Sequence, residues 1–136
     1  MSYVLSEHTA DVAVKATSDA LGGVFAAVAD GLAAAQCESI PDHGGRFEVT
    51  VEAEGLEAAL FDYLDELIYQ RDVRDVLPVD NEAAVREEDG VWYVEATARG
   101  VPLSELTARE VKAVTYSEMT IKEIDGGWYA YVVLDV

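Results

Sequence analysis

The chain has 136 residues, with 27 acids against nine basic residues and a formal net charge of −18. That surface repels phosphate and argues against direct nucleic-acid binding. The 51% hydrophobic content is enough for a real core and excludes a disordered tail. The length is most simply one domain over residues 1–136.

No apolar run approaches the roughly 18 residues a membrane helix needs. The start, Met1-Ser2-Tyr3-Val4-Leu5-Ser6-Glu7, lacks the basic and apolar parts of a secretion signal. The lone Cys37 excludes an internal disulfide and a cysteine-rich zinc site. A soluble cytoplasmic protein is expected. The acids are spread along the chain, as expected of an acidic halophilic protein working where salt shortens the reach of repulsion.

Glu7-His8-Thr9-Ala10-Asp11 forms a polar lead into Val12-Ala13-Val14-Lys15-Ala16-Thr17. Alternation there predicts a first strand over about 11–17. Ser18-Asp19 offers capping oxygens, and Leu21, Val24, Phe25, Val28 and Leu32 repeat at helical spacing. A helix over about 20–36 follows. Gly22-Gly23 weakens its first turn and lacks the rest of a phosphate-loop pattern, so it carries no functional weight. Breakers over 39–45 give a loop, and Phe47 to Glu54 alternates as a strand with one wet face.

The second helix runs over about 56–71, with a buried stripe of Leu56, Leu60, Phe61, Leu64, Leu67 and Ile68. Asp62, Asp65 and Glu66 read as its solvated face, and His43 as an isolated loop residue. Pro78 marks a break. Asp89-Gly90 and Asp125-Gly126-Gly127 each sit between β-rich segments and predict hairpins. The predicted fold is α+β: a mostly antiparallel sheet with two amphipathic helices packed on it.

No nucleophile elbow, cysteine–histidine pair or dinucleotide fingerprint is present. Lys112, one of three lysines, lies in an apolar segment, where a snorkelling side chain is the plainest reading and a catalyst or anion contact the sharper ones. If the last strand lies antiparallel beside the first, Asp135 and the Val136 carboxylate approach Asp11, with His8 nearby. Clustered negative charge needs a proton or a cation, and oxygen donors suit Ca²⁺ or Mg²⁺. The alternative is that Asp11 is a turn residue and Asp135 an exposed strand end.

Four segments in order, His8-Thr9-Ala10-Asp11-Val12, Leu60 to Tyr69, Val111-Lys112-Ala113-Val114-Thr115-Tyr116 and Val133-Leu134-Asp135-Val136, resemble the archease family. Glu7 and Ser117 depart from it, standing where members often have Asp and His. The resemblance implies a non-enzymatic activator of the GTP-dependent tRNA-splicing RNA ligase. Such an activator promotes guanylylation of the ligase and its multiple turnover in tRNA ligation. It also implies metal ligands at Asp11, Asp135 and Val136, with Ca²⁺ the usual ion and Mg²⁺ or Mn²⁺ as alternatives. An activating role falls on Lys112, and His8 orients Asp11. The implied fold contains a strand-helix-strand-strand module. Two other functions stay open: a chaperone or specificity modulator of another RNA-modifying enzyme such as a tRNA methyltransferase, and a metal-dependent hydrolase.

Overall fold

The structure is a computed structural model that describes residues 2–8 and 11–136, with the backbone alone described for 6–8. The elements in order are β1 (Ser2–His8), β2 (Asp11–Ser18), α1 (Leu21–Gln36), β3 (Arg46–Ala53) and α2 (Leu56–Arg74). There follow β4 (Val76–Glu88), β5 (Val91–Pro102), a 3₁₀ turn at Leu103–Glu105, β6 (Ala113–Ile124) and β7 (Gly127–Asp135). The α+β class holds, and the strands divide into two antiparallel sheets, ordered β1-β2-β7-β6 and β3-β5-β4.

Helix α1 packs on β2 of the first sheet and β4 of the second, and α2 packs on β6 and β3. The helices are therefore a middle layer covered on both sides. That explains why α1 is apolar nearly all round: Val24, Phe25, Ala26, Ala27, Val28 and Ala29 are all buried. A single-sided stripe would leave one of its faces wet. The main core draws Val14 and Val132 from one sheet and Val49 and Val94 from the other. From α2 it takes Leu60, Leu64 and Tyr63, and Tyr63 is fully buried.

The start of α1 is a close fit. A Cβ on Gly22 would stand 2.3 Å from the Ala83 carbonyl of β4, and one on Gly23 would stand 2.1 Å from Ser18 Oγ. The glycines are there for close approach of helix to sheet. The cap residue is Ala20, with no side-chain cap. Ser18 Oγ instead accepts a bond from the Ala20 N–H at 3.3 Å. Helix α2 ends at Asp75 in the left-handed region (φ 54°), with Arg71 and Arg74 in its last turn, where cations suit the negative helix end.

Pro78 does not break the chain as expected. It lies inside β4, which is an edge strand, so the missing N–H leaves no ladder bond unmade. Two bulges interrupt the ladders. One falls between Val79 and Glu82, where Asp80 takes φ 51°, and one between Thr115 and Thr120, where Glu118 takes φ 62°.

Candidate functional site: the strand ends of the first sheet

β2 and β7 pair antiparallel with Asp11 opposite Asp135, so the last strand does lie beside the first part of the chain. His8 of β1 is opposite Asp11, and Ala113 of β6 is opposite Asp135. One row thus crosses all four strands at one end of the sheet. Alternation fixes which face it lies on. Val12, Val14 and Ala16 go into the core, as do their partners Leu134, Val132 and Ala130, so Asp11 and Asp135 take the outer face. Both are half-buried. Residues directly opposite in an antiparallel pair hold their Cβ atoms about 5 Å apart.

Lys112 stands just before β6. Its backbone N–H donates to the Asp135 carbonyl at 2.8 Å, and its side chain is exposed. Val136 packs its side chain against the core. The orienting role expected of His8 concerns a side chain that lies outside the described residues, as do Thr9 and Ala10. Ser117 is exposed within the β6 bulge. Beside it, Tyr116 stacks on Phe61 of α2 with ring centres 4.2 Å apart and planes within 7°.

The donor chemistry fits a hard cation. Two carboxylates directly opposite repel, and a divalent ion between them removes that cost. One row inward on the same face, Thr115 Oγ1 is buried with no hydrogen-bond partner among the described residues. The set is also incomplete. No three His, Cys, Asp or Glu side chains among the described residues gather closely enough to hold an ion. A six- to eight-coordinate ion would need the Val136 carboxylate, water or a partner as well.

Residues not singled out in the sequence hold this end of the molecule. Arg71 of α2 is buried; its Nη1 donates to Gln36 Oε1 at 2.8 Å and to the Val111 carbonyl at 2.9 Å. The second bond fixes the residue just before Lys112. Its Nε donates to Asp72 Oδ1 at 2.9 Å, and Asp72 is exposed. Arg109 donates from its backbone N–H to the Gln36 carbonyl (2.8 Å) and from Nε to the Ala35 carbonyl (2.9 Å). The signal for Arg71 was present: it continues the stripe of Leu60, Leu64 and Leu67 by one more step of four. A groove of about 940 Å³ opens between the end of α1 and the segment 105–109, reaching Leu5 and Val12 beside the Asp11 row.

Earlier in α1, Asp30 holds the β4 bulge, its Oδ1 accepting from the backbone N–H and Nδ2 of Asn81, each at 2.9 Å. Burial raises its carboxyl above the usual range, against the lowering effect of those two bonds. Burial likewise raises the Tyr63 hydroxyl, with the Asp30 charge adding to it. His43, expected to stand alone, meets Glu105 at 2.7 Å on the surface.

The architecture is that of a small α+β protein whose terminal strand completes the sheet begun by its first strands. Residues 3–136 match the sequence model of the Archease protein family (MTH1598/TM1083). The archease of Pyrococcus furiosus is 32% identical over 136 residues, covering 96% of this chain and 95% of the relative. That of Methanosarcina mazei is 34% identical over 140 residues, covering 98% and 95%. The solution structure of Methanobacterium thermoautotrophicum protein 1598 superimposes with a TM-score of 0.85 at 28% identity, over 98% of both chains. A Thermotoga maritima crystal structure, described as an archease and possible chaperone, shares the fold at 20% identity. Its TM-score is 0.63, with 96% of this chain and 94% of that one covered. The chain belongs to the archease family.

Proposed function

We propose that this protein is a non-enzymatic activator of a GTP-dependent tRNA-splicing RNA ligase, promoting the ligase's guanylylation and turnover through the row at the strand ends. The observation that carries the reading is the placement of Asp11 opposite Asp135, with Lys112 tied by its backbone to Asp135. Membership of the archease family supports an accessory role, and the ligase is the partner that the resemblance implies.

In this reading Asp11, Asp135 and the Val136 carboxylate would hold a divalent ion, most simply Ca²⁺, with Mg²⁺ or Mn²⁺ able to take the same oxygens. The ion would supply charge neutralisation. The protein's own residues do the rest. The β2–β7 register holds the two carboxylates side by side, and Arg71 anchors Val111 so that Lys112 leaves the sheet at a fixed point. An exposed ammonium there can meet a phosphate or carboxylate of the partner. Phosphoryl transfer gains mainly from such positioning and charge. The incomplete donor set suits a helper that works against a partner's surface better than a free-standing hydrolase.

The test is ligase guanylylation with limiting ligase, adding wild type or Asp11→Asn, Asp135→Asn or Lys112→Ala. Each variant should keep the wild-type circular dichroism and lose most of the stimulation. Ca²⁺ should raise the melting temperature of the isolated wild type and not of the two aspartate variants. Equal stimulation by all three variants would disprove the reading. A chaperone role, fitting the description of the Thermotoga relative, predicts instead that partner capture survives a chelator.

A further inference from the structure

All three lysines belong to the first sheet or its margin: Lys15 on β2, Lys122 on β6 and Lys112 just before β6. Among the described residues none of them makes an ion pair, whereas the six arginines are all engaged. Arg46, Arg86 and Arg99 face carboxylates of Asp80, Glu82, Glu88 and Glu95. Arg71, Arg74 and Arg109 bond to side-chain amide or backbone carbonyl oxygens.

Register puts Lys15 and Lys122 on one face. Val4, Lys15, Tyr131 and Thr120 form one row across the four strands, and Ser2, Thr17, Tyr129 and Lys122 form the next. Tyr129 and Tyr131 are two residues apart on the inner strand β7, so their side chains leave the same face of the backbone about 7 Å apart. Both are half-buried, and Lys122 Nζ stands 5.6 Å from the centre of the Tyr129 ring. Neither row contains an acid, in a chain where acids outnumber bases three to one. Acids stand at the margins of this face: Asp19 and Asp125 line a small hollow with Thr17 at one end, the Asp11–Asp135 row lies at the other, and the Glu118 charge acts on Tyr131 from the bulge.

We infer that this outer sheet face is a contact surface for single-stranded RNA, with Tyr129 and Tyr131 stacking bases and Lys15 and Lys122 meeting phosphates on either side. Flat aromatic side chains on a sheet flanked by cations and hydroxyls make the stacking platform that single strands use. An acidic peptide would satisfy the lysines but has no planar group for the rings. The net charge of −18 opposes approach from a distance, yet at 0.1 M salt each charge acts over only about 10 Å. What decides contact is the face itself.

The experiment is fluorescence anisotropy of a labelled 10-nucleotide single-stranded RNA titrated with the full chain. A poly-glutamate peptide and an RNA duplex of equal length serve as separate arms. Saturable binding of the single strand is expected, tighter than of either other probe. Tyr129→Ala/Tyr131→Ala should weaken it at least about tenfold. Lys15→Glu/Lys122→Glu, at exposed positions that leave the fold intact, should abolish it while the melting temperature stays within a few degrees. The inference is overturned by no binding of the single strand, by binding that the lysine reversals leave unchanged, or by tighter binding of poly-glutamate.

Discussion

Arg71→Ala removes two buried charge-assisted hydrogen bonds, to Gln36 Oε1 and to the Val111 carbonyl. Such bonds are worth about 1.5–3 kcal/mol each, and their acceptors would be left in an interior that water does not reach. The pair with exposed Asp72 adds little, because solvent screens it. The expected loss is therefore about 3–6 kcal/mol, a large share of the 5–15 kcal/mol typical of a domain. Urea denaturation reads it directly as a lower midpoint at unchanged slope. Arg71→Lys keeps the charge but not the fork, so it should fall between the two. A cycle with Gln36→Ala isolates one of the bonds: the double variant should lose less than the sum of the singles. A loss under about 1 kcal/mol for Arg71→Ala would show that Val111 and Gln36 are held by something else, and the account of how Lys112 is placed would fail.

Gly22→Ala should destabilise by about 2 kcal/mol or more in thermal melts, although alanine is favoured in an isolated helix by about 1 kcal/mol. The new methyl has only 2.3 Å to the Ala83 carbonyl; a more stable variant would refute the close-approach reading. Asp30→Asn keeps an acceptor for Asn81 and removes a half-buried charge. Because burial raises the folded carboxyl above its unfolded value, the folded state binds the extra proton. The wild type therefore gains stability as pH falls from neutral toward the unfolded value of 3.8. The asparagine variant lacks this gain, so urea midpoints of the two proteins should move relative to one another as pH falls from 7 toward 3.8; parallel midpoints over that range would remove the effect. With 27 acids against nine bases, the melting temperature should rise from dilute buffer to molar KCl, where screening length shrinks to about 3 Å. No rise would end the expectation of a salt-adapted surface.

Much of the chain was legible in one dimension because its signals are local. Alternation over 11–17 and 47–54, helical spacing through Leu21–Leu32 and Leu56–Ile68, and the Asp-Gly turns all report interactions within a few residues. These gave both helices, the hairpins and the α+β class. They missed β1, whose Tyr3, Val4 and Leu5 are all partly exposed and so lack a clean alternation. Pro78 misled because its effect depends on whether a strand lies at an edge, which depends on partners distant in sequence.

The sequence by itself determined the composition of the Asp11 and Asp135 ends and the family to which they point. Only the tertiary structure decided that the two stand opposite one another across β2 and β7, that Arg71 turns inward to fix Val111, and that the strands split into two sheets around the helices. It also decided that Lys15 and Lys122 share a face with two tyrosines while the arginines are engaged. The reason is physical. A strand's own residues set which side chains alternate, but its neighbours and register are set by pairing between residues far apart in the chain, and net charge says nothing about where the charges gather.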